Sequence, residues 1–172
     1  MSDVALTAGT QPAQELFIKM AVAAWDASTN QCSKLFDELT DDQLAAEASP
    51  GRNTGKYLLG HLVAVTDRML PLLGLGERLH PELDNAFLAN PDKSGLETPP
   101  LQELRKYWKE VNAKFSAAIA AIPPGEWFAK HTAVSAEDFA KEPHRNKLNV
   151  LINRTNHQSL HYGQLLYCRP KK

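Results

Sequence analysis

Apolar side chains recur at steps of three and four along four stretches of the chain, and nowhere alternate at the two-residue step of a strand. The sharpest stretch is PPLQELRKYWKEVNAKFSAAIAAIPPG. Leu101, Leu104, Trp108, Val111, Phe115, Ala118 and Ile122 share a stripe there, while Glu103, Arg105, Lys109, Glu110 and Lys114 take the other faces. Thr98 is a natural N-cap, Pro99 fits the first turn, and Pro123-Pro124-Gly125 stops the helix. An earlier helix, roughly Gln14 to Phe36, carries Phe17, Met20, Ala21, Ala24, Trp25, Cys32, Leu35 and Phe36. The polar run Ser28-Thr29-Asn30-Gln31 interrupts its stripe and reads as a solvated turn rather than the lining of a pocket.

A turn seeded by Thr40-Asp41-Asp42 leads to a second helix, capped by Asn53 or Thr54 and ending near Gly74. It is apolar nearly all round, which marks burial on several sides. The fourth helix runs from about Asn146 to Cys168 and is stopped by Pro170. Leu148, Ile152 and Leu166 lie on one of its faces and Val150, Leu160 and Leu165 toward another, so a partner subunit would satisfy the spare face.

These elements predict an all-α four-helix bundle. The connection from Leu75 to Glu97 is longer than antiparallel neighbours need and could run the length of a helix of about 20 residues, about 30 Å. The second and third helices can therefore be parallel, joined by a long crossover. In the other long connection, Gly125 to Arg145, Trp127, Phe128 and Phe139 suggest a packed cover.

Length and composition set bounds. A chain of 172 residues is expected to form a single domain over 1–172, with residues 1–12 flexible. Hydrophobic content of 43% and charged content of 23% match soluble globular domains and disfavour disorder. A net charge of −1, with short basic clusters lacking interleaved aromatics, argues against nucleic-acid binding. Cys32 and Cys168 read as small buried apolar residues rather than a disulfide framework. No basic leader precedes an apolar run and no apolar stretch reaches about 18 residues, so no membrane association and a cytoplasmic location are expected.

The candidate chemistry lies in NRTNHQSLHYGQL, where His157 and His161 stand four residues apart on one helix face. Their β-carbons would be about 5–6 Å apart, so both imidazoles can aim at one ion about 2.1 Å away. Such pairs arise by chance, and a third ligand is needed. His61 lies about seven residues into the second helix, and His157 and His161 about eleven and seven residues from the end of the fourth. If those helices are antiparallel neighbours, all three lie about 10–16 Å from the same end. His61 alone would be a satisfied core histidine; the three together point to a metal site, since buried polar groups need partners and imidazole is the commonest metal-binding side chain.

His80, His131 and His144 read as exposed loop residues. In His157-Gln158-Ser159-Leu160-His161 the general-base Glu of a zinc protease helix is replaced by Gln158, which disfavours that chemistry. Ser159 points away from the histidine face, and no glycine-rich phosphate loop is present. Arg68, two turns beyond His61, could orient an anionic substrate or sit in a surface ion pair. Asn153 and Gln164 flank the histidine pair; either could fix a ring tautomer or simply be solvated.

Leu58-Leu59-Gly60-His61-Leu62, together with Asn156-His157-Gln158-Ser159-Leu160-His161-Tyr162-Gly163-Gln164-Leu165, resembles the DinB/YfiT-like family of small metal-binding four-helix bundles, and Ser49-Pro50-Gly51 suits its pattern. The likeness spans about Gln14 to Cys168. It implies an up-down-down-up bundle, a divalent ion, usually zinc or nickel, on His61, His157 and His161, and a homodimer. Characterised relatives include S-transferases and isomerases that use bacillithiol, mycothiol or glutathione.

The resulting expectation is a metal-dependent enzyme, a hydrolase or a thiol-dependent S-transferase acting on small electrophiles. Its small-molecule substrate would approach an ion with an open coordination position, which lowers the pKa of a water or thiol. The alternatives are a non-catalytic dimeric metal-binding bundle and a small-molecule-binding bundle.

Overall fold

The computed structural model describes residues 10–170. Six α-helices follow in order: α1 (Thr10–Glu38), α2 (Asp41–Ala45), α3 (Gly55–Leu72), α4 (Leu101–Ala120), α5 (Ala136–Lys141) and α6 (Lys147–Leu165). The four long ones form the bundle, and no strand occurs among the described residues. The start expected to be flexible lies outside these residues over 1–9, while residues 10–12 open α1.

Helix directions follow from who meets whom. Gln158 reaches Ser28 and Thr29, and Arg169 reaches Glu38, so α6 runs parallel to α1. Phe36 packs edge-on against Trp108 and Trp25 against Phe115, so α4 opposes α1. His61 faces His157, while Gly55 near the start of α3 lies against Cys168, so α3 opposes α6. The order is up, down, down, up, with the crossover between α3 and α4, as the sequence predicts.

The core has two parts. Cys32, Leu35, Phe36, Leu58, Leu62, Phe87 and Trp108 fill one end; Trp25, Met69, Phe115, Trp127, Leu148 and Leu151 fill the other. Each large apolar side chain so enclosed stabilises by about 1.5–3 kcal/mol before entropy is counted. Burial pushes the Cys32 thiol up to about 12, in keeping with a packing role. Of the second apolar face of α6, Leu165 is buried within the chain but Leu160 is 61% exposed.

Several expectations are corrected. Ser28-Thr29-Asn30-Gln31 is no turn: α1 runs straight through it, with Ser28 and Thr29 buried. The Gln158 amide donates to both hydroxyls at 3.1 Å, satisfying polar atoms that would otherwise be costly inside a bundle. α4 starts at Leu101 with Pro100 as N-cap, rather than at Pro99, because a residue preceding proline is driven out of the helical region. His80 is not exposed: its ring stacks on Tyr107 at 3.7 Å between centroids. His131 is half-buried, and His144 is exposed.

The crossover is tied down rather than slack. The Asp67 carboxylate, fully buried on α3, accepts from the Leu79 and His80 backbone N–H groups at 2.8 and 2.9 Å and from Arg78 Nε at 3.1 Å. Arg78 also forks onto Asp84, both bonds at 2.6 Å. A π-helical turn, Asn85–Ala89, then drops Phe87 into the core against α3. The second long connection buries Trp127 in a 3-10 turn, Pro124–Phe128, as a packed cover.

Candidate metal centre

Thr54 caps α3 by accepting from the Tyr57 N–H, and Asn146 caps α6 by accepting from Asn149. The faces so set bring His61 from α3 and His157 and His161 from α6 together. His157 Nε2 lies 3.2 Å from His61 Nε2 and 3.1 Å from His161 Nε2. One ring nitrogen from each residue falls within 4.8 Å of the others. Three ligands each about 2.1 Å from a shared ion lie about 3.0–3.4 Å apart in octahedral or tetrahedral arrangement. The spacing fits.

Protons decide what this convergence means. His61 Nδ1 donates to the Phe87 carbonyl at 2.9 Å, leaving a bare lone pair on Nε2. His161 Nδ1 donates to Gln164 Oε1 at 2.8 Å, with the same result. His157 Nε2 carries at most one proton, so it can satisfy only one of these two neighbours. Its Nδ1 is buried without a partner. A cation at the meeting point would take all three lone pairs, so the donor set fits a metal ion.

The rings are also held neutral, which is the ligating form. Burial lowers His61, with the His161 and Arg154 charges adding to it against the Phe87 hydrogen bond. Burial, then His161, His61 and Arg154, pushes His157 down to about 4. Burial lowers His161 against the pull of Gln164. Metal-free protein should therefore hold its stability above about pH 6.5 and lose it progressively toward pH 4, as protons bind the unfolded chain but not the folded rings. Thermal melts across this range should fall more steeply for the parent than for His157→Ala, and metal affinity should weaken with the same sign.

Gly60 explains how His61 is aimed. A Cβ there would collide with the Phe87 ring, whose backbone carbonyl orients the His61 imidazole. Gly60→Ala is expected to destabilise by about 1–3 kcal/mol, as overpacking does, and to weaken metal binding as well. Denaturant unfolding and a metal titration on one sample would read both effects.

The model of the DinB superfamily matches residues 24–165, a span that holds all three histidines. The chain belongs to the DinB superfamily. A search of curated proteins finds no significant match.

In this DinB-superfamily chain the remaining expected site residues divide. Gln164 bonds the His161 ring. Asn153 does not reach a histidine: it is exposed at the rim, with its amide directed to Asn149 Oδ1 at 3.4 Å. Arg68 is exposed and pairs with Asp84 at 2.7 Å, so the crossover carboxylate occupies the guanidinium that an anionic substrate would need. Two contributors escape a sequence reading, the Phe87 carbonyl and Arg154, whose charge acts on both His61 and His157. Gly60 in LLGHL was a signal for a close approach, and Arg154 stands out as a basic residue in a helix with no carboxylate. Beyond Gln164 opens a cleft of about 600 Å³, lined among others by Arg52, Asn53, Leu58, Gln164 and Tyr167. Among the described residues, no helix is long and apolar enough to cross a membrane.

Proposed function

We propose that this chain is a metal-dependent enzyme that holds one zinc or nickel ion on His61, His157 and His161 and joins a low-molecular-weight thiol to a small electrophile. The observation that carries this reading is the convergence of three neutral imidazoles, two with lone pairs fixed on Nε2, on one point. Three protein ligands are the number that catalytic zinc sites use, with the next position left to water or substrate. When bound, such an ion supplies Lewis acidity that generates a nucleophile near neutral pH.

The protein's own groups provide the rest. The Phe87 carbonyl and Gln164 hold two ligand rings in one tautomer, which raises their basicity. Each histidine keeps part of its surface exposed, and the cleft beside Gln164 offers a bed for the substrate. Elemental analysis of untagged protein prepared without chelators tests the ion. A conjugation assay with several thiols and an electrophile, run with and without metal, tests the chemistry. Metal at about one ion per chain without turnover on any thiol would leave a metal-binding bundle and end the enzyme reading.

A further inference from the structure

Arg154 sits on α6, one turn before His157 and two turns before His161, on the face that carries the histidines. It is half-buried and has no hydrogen bond or ion pair among the described residues. Other arginines are accounted for: Arg68 and Arg78 by Asp84, Arg105 by Asp41, Arg145 by Glu142 and Arg169 by Glu38, while Arg52 is exposed. Leaving a partly buried guanidinium without an anion is costly, and nearby acids cannot relieve it. α6 contains no Asp or Glu, Asp67 is enclosed by Arg78 and two backbone N–H groups, and Asp84 already serves two arginines. Asp67 and Asp84 are thus taken up by Arg68 and Arg78, and among the described residues Arg154 keeps a positive charge without a carboxylate partner one turn from His157. Burial lowers Arg154, and the charge of Arg68 adds to it, as expected where two guanidinium groups share a region.

Resting on the metal-enzyme reading above, we propose that Arg154 anchors a single carboxylate of the small-molecule ligand, so that the thiol or its acceptor is an acid whose reactive end faces the histidine Nε2 atoms. A planar guanidinium fork matches a carboxylate with two parallel hydrogen bonds. One unmatched charge suits a monoanion better than a phosphate dianion. The ligand is held by its acid group on the Arg154 side, and its body extends past the histidines toward the cleft at Gln164.

The test compares 3-mercaptopropionate with 3-mercaptopropionamide, which differ in charge and little else, by calorimetric titration of zinc-loaded protein. The parent should bind the acid about tenfold more tightly than the amide. Arg154→Met should abolish this preference and change amide affinity by less than about twofold. No preference in the parent, or one that survives in Arg154→Met, overturns the proposal. If circular dichroism shows that Arg154→Met does not fold, Arg154→Lys is read instead: a reduced preference supports the two-bonded anchor and an undiminished one overturns it. Elemental analysis of the same samples separates this outcome from the fate of the metal. Should no ion be retained, propionate and propionamide are titrated into metal-free protein, where an acid preference that Arg154→Met removes still supports the anchor and its absence overturns it.

Discussion

His157→Ala and His61→Ala should each reduce retained metal from about one ion per chain to less than about a tenth of that, while the bundle still folds. Removing a partner that merely orients a ligand costs about 10–100-fold in metal affinity, and removing the ligand itself should cost more. The metal-free variants carry a second expectation. His157 brings an unpartnered buried Nδ1 and a crowded Nε2 to the metal-free site, so its loss relieves an unfavourable arrangement. Metal-free His157→Ala should therefore melt no lower than metal-free parent, whereas added zinc should raise the melting temperature of the parent alone. Calorimetry with and without zinc checks both. Melting that responds equally to zinc in parent and variants would move the ion elsewhere.

Asp67→Ala should destabilise the protein by about 3–5 kcal/mol, the cost of breaking a buried ion pair by removing one partner. Three donors depend on its carboxylate: the Leu79 and His80 backbone N–H groups and Arg78 Nε. With none of them satisfied, the first part of the crossover loses its attachment to α3, and Asp84 is the one carboxylate that Arg78 retains among the described residues. The effect should reach the metal centre, because the same crossover delivers the Phe87 carbonyl to His61. Urea unfolding gives the stability loss, and a zinc titration of Asp67→Ala should show weaker binding although no ligand is touched. A loss below about 1 kcal/mol would mean that the crossover is held mainly by Phe87 packing.

The long helices were legible because their apolar stripes are local: Leu104, Trp108, Val111 and Phe115 mark α4 without reference to the rest of the chain. The pairing of His61 with His157 and His161 was legible at one remove, since helix rise converts sequence position into depth once two helices are taken as antiparallel. Ser28 and Thr29 misled for the opposite reason. Their polarity is local, but the amide that satisfies it comes from Gln158, 130 residues from Ser28. The Phe87 carbonyl has no side-chain signature at all, because every residue offers the same backbone acceptor. Asp67 carries no local sign of its role, which exists only because the backbone of residues 79 and 80 comes to it. Arg68 and Arg154 share a residue type, and only the position of Asp84 assigns the ion pair to one and leaves the other bare.

The parallel pairing of α1 with α6 has a kinetic side. Contacts between the two helices close long loops, such as the 130 residues that separate Ser28 from Gln158. Loop closure on that scale must be met before its contacts can stabilise anything, so folding should be slower than in an up-and-down bundle of equal length. Until α6 docks between its partners, His61 on α3 stands apart from the His157 and His161 pair on α6. A chain in the act of folding would thus offer scavenging metal ions no three-pronged grip, and the ion would join only at the closing step.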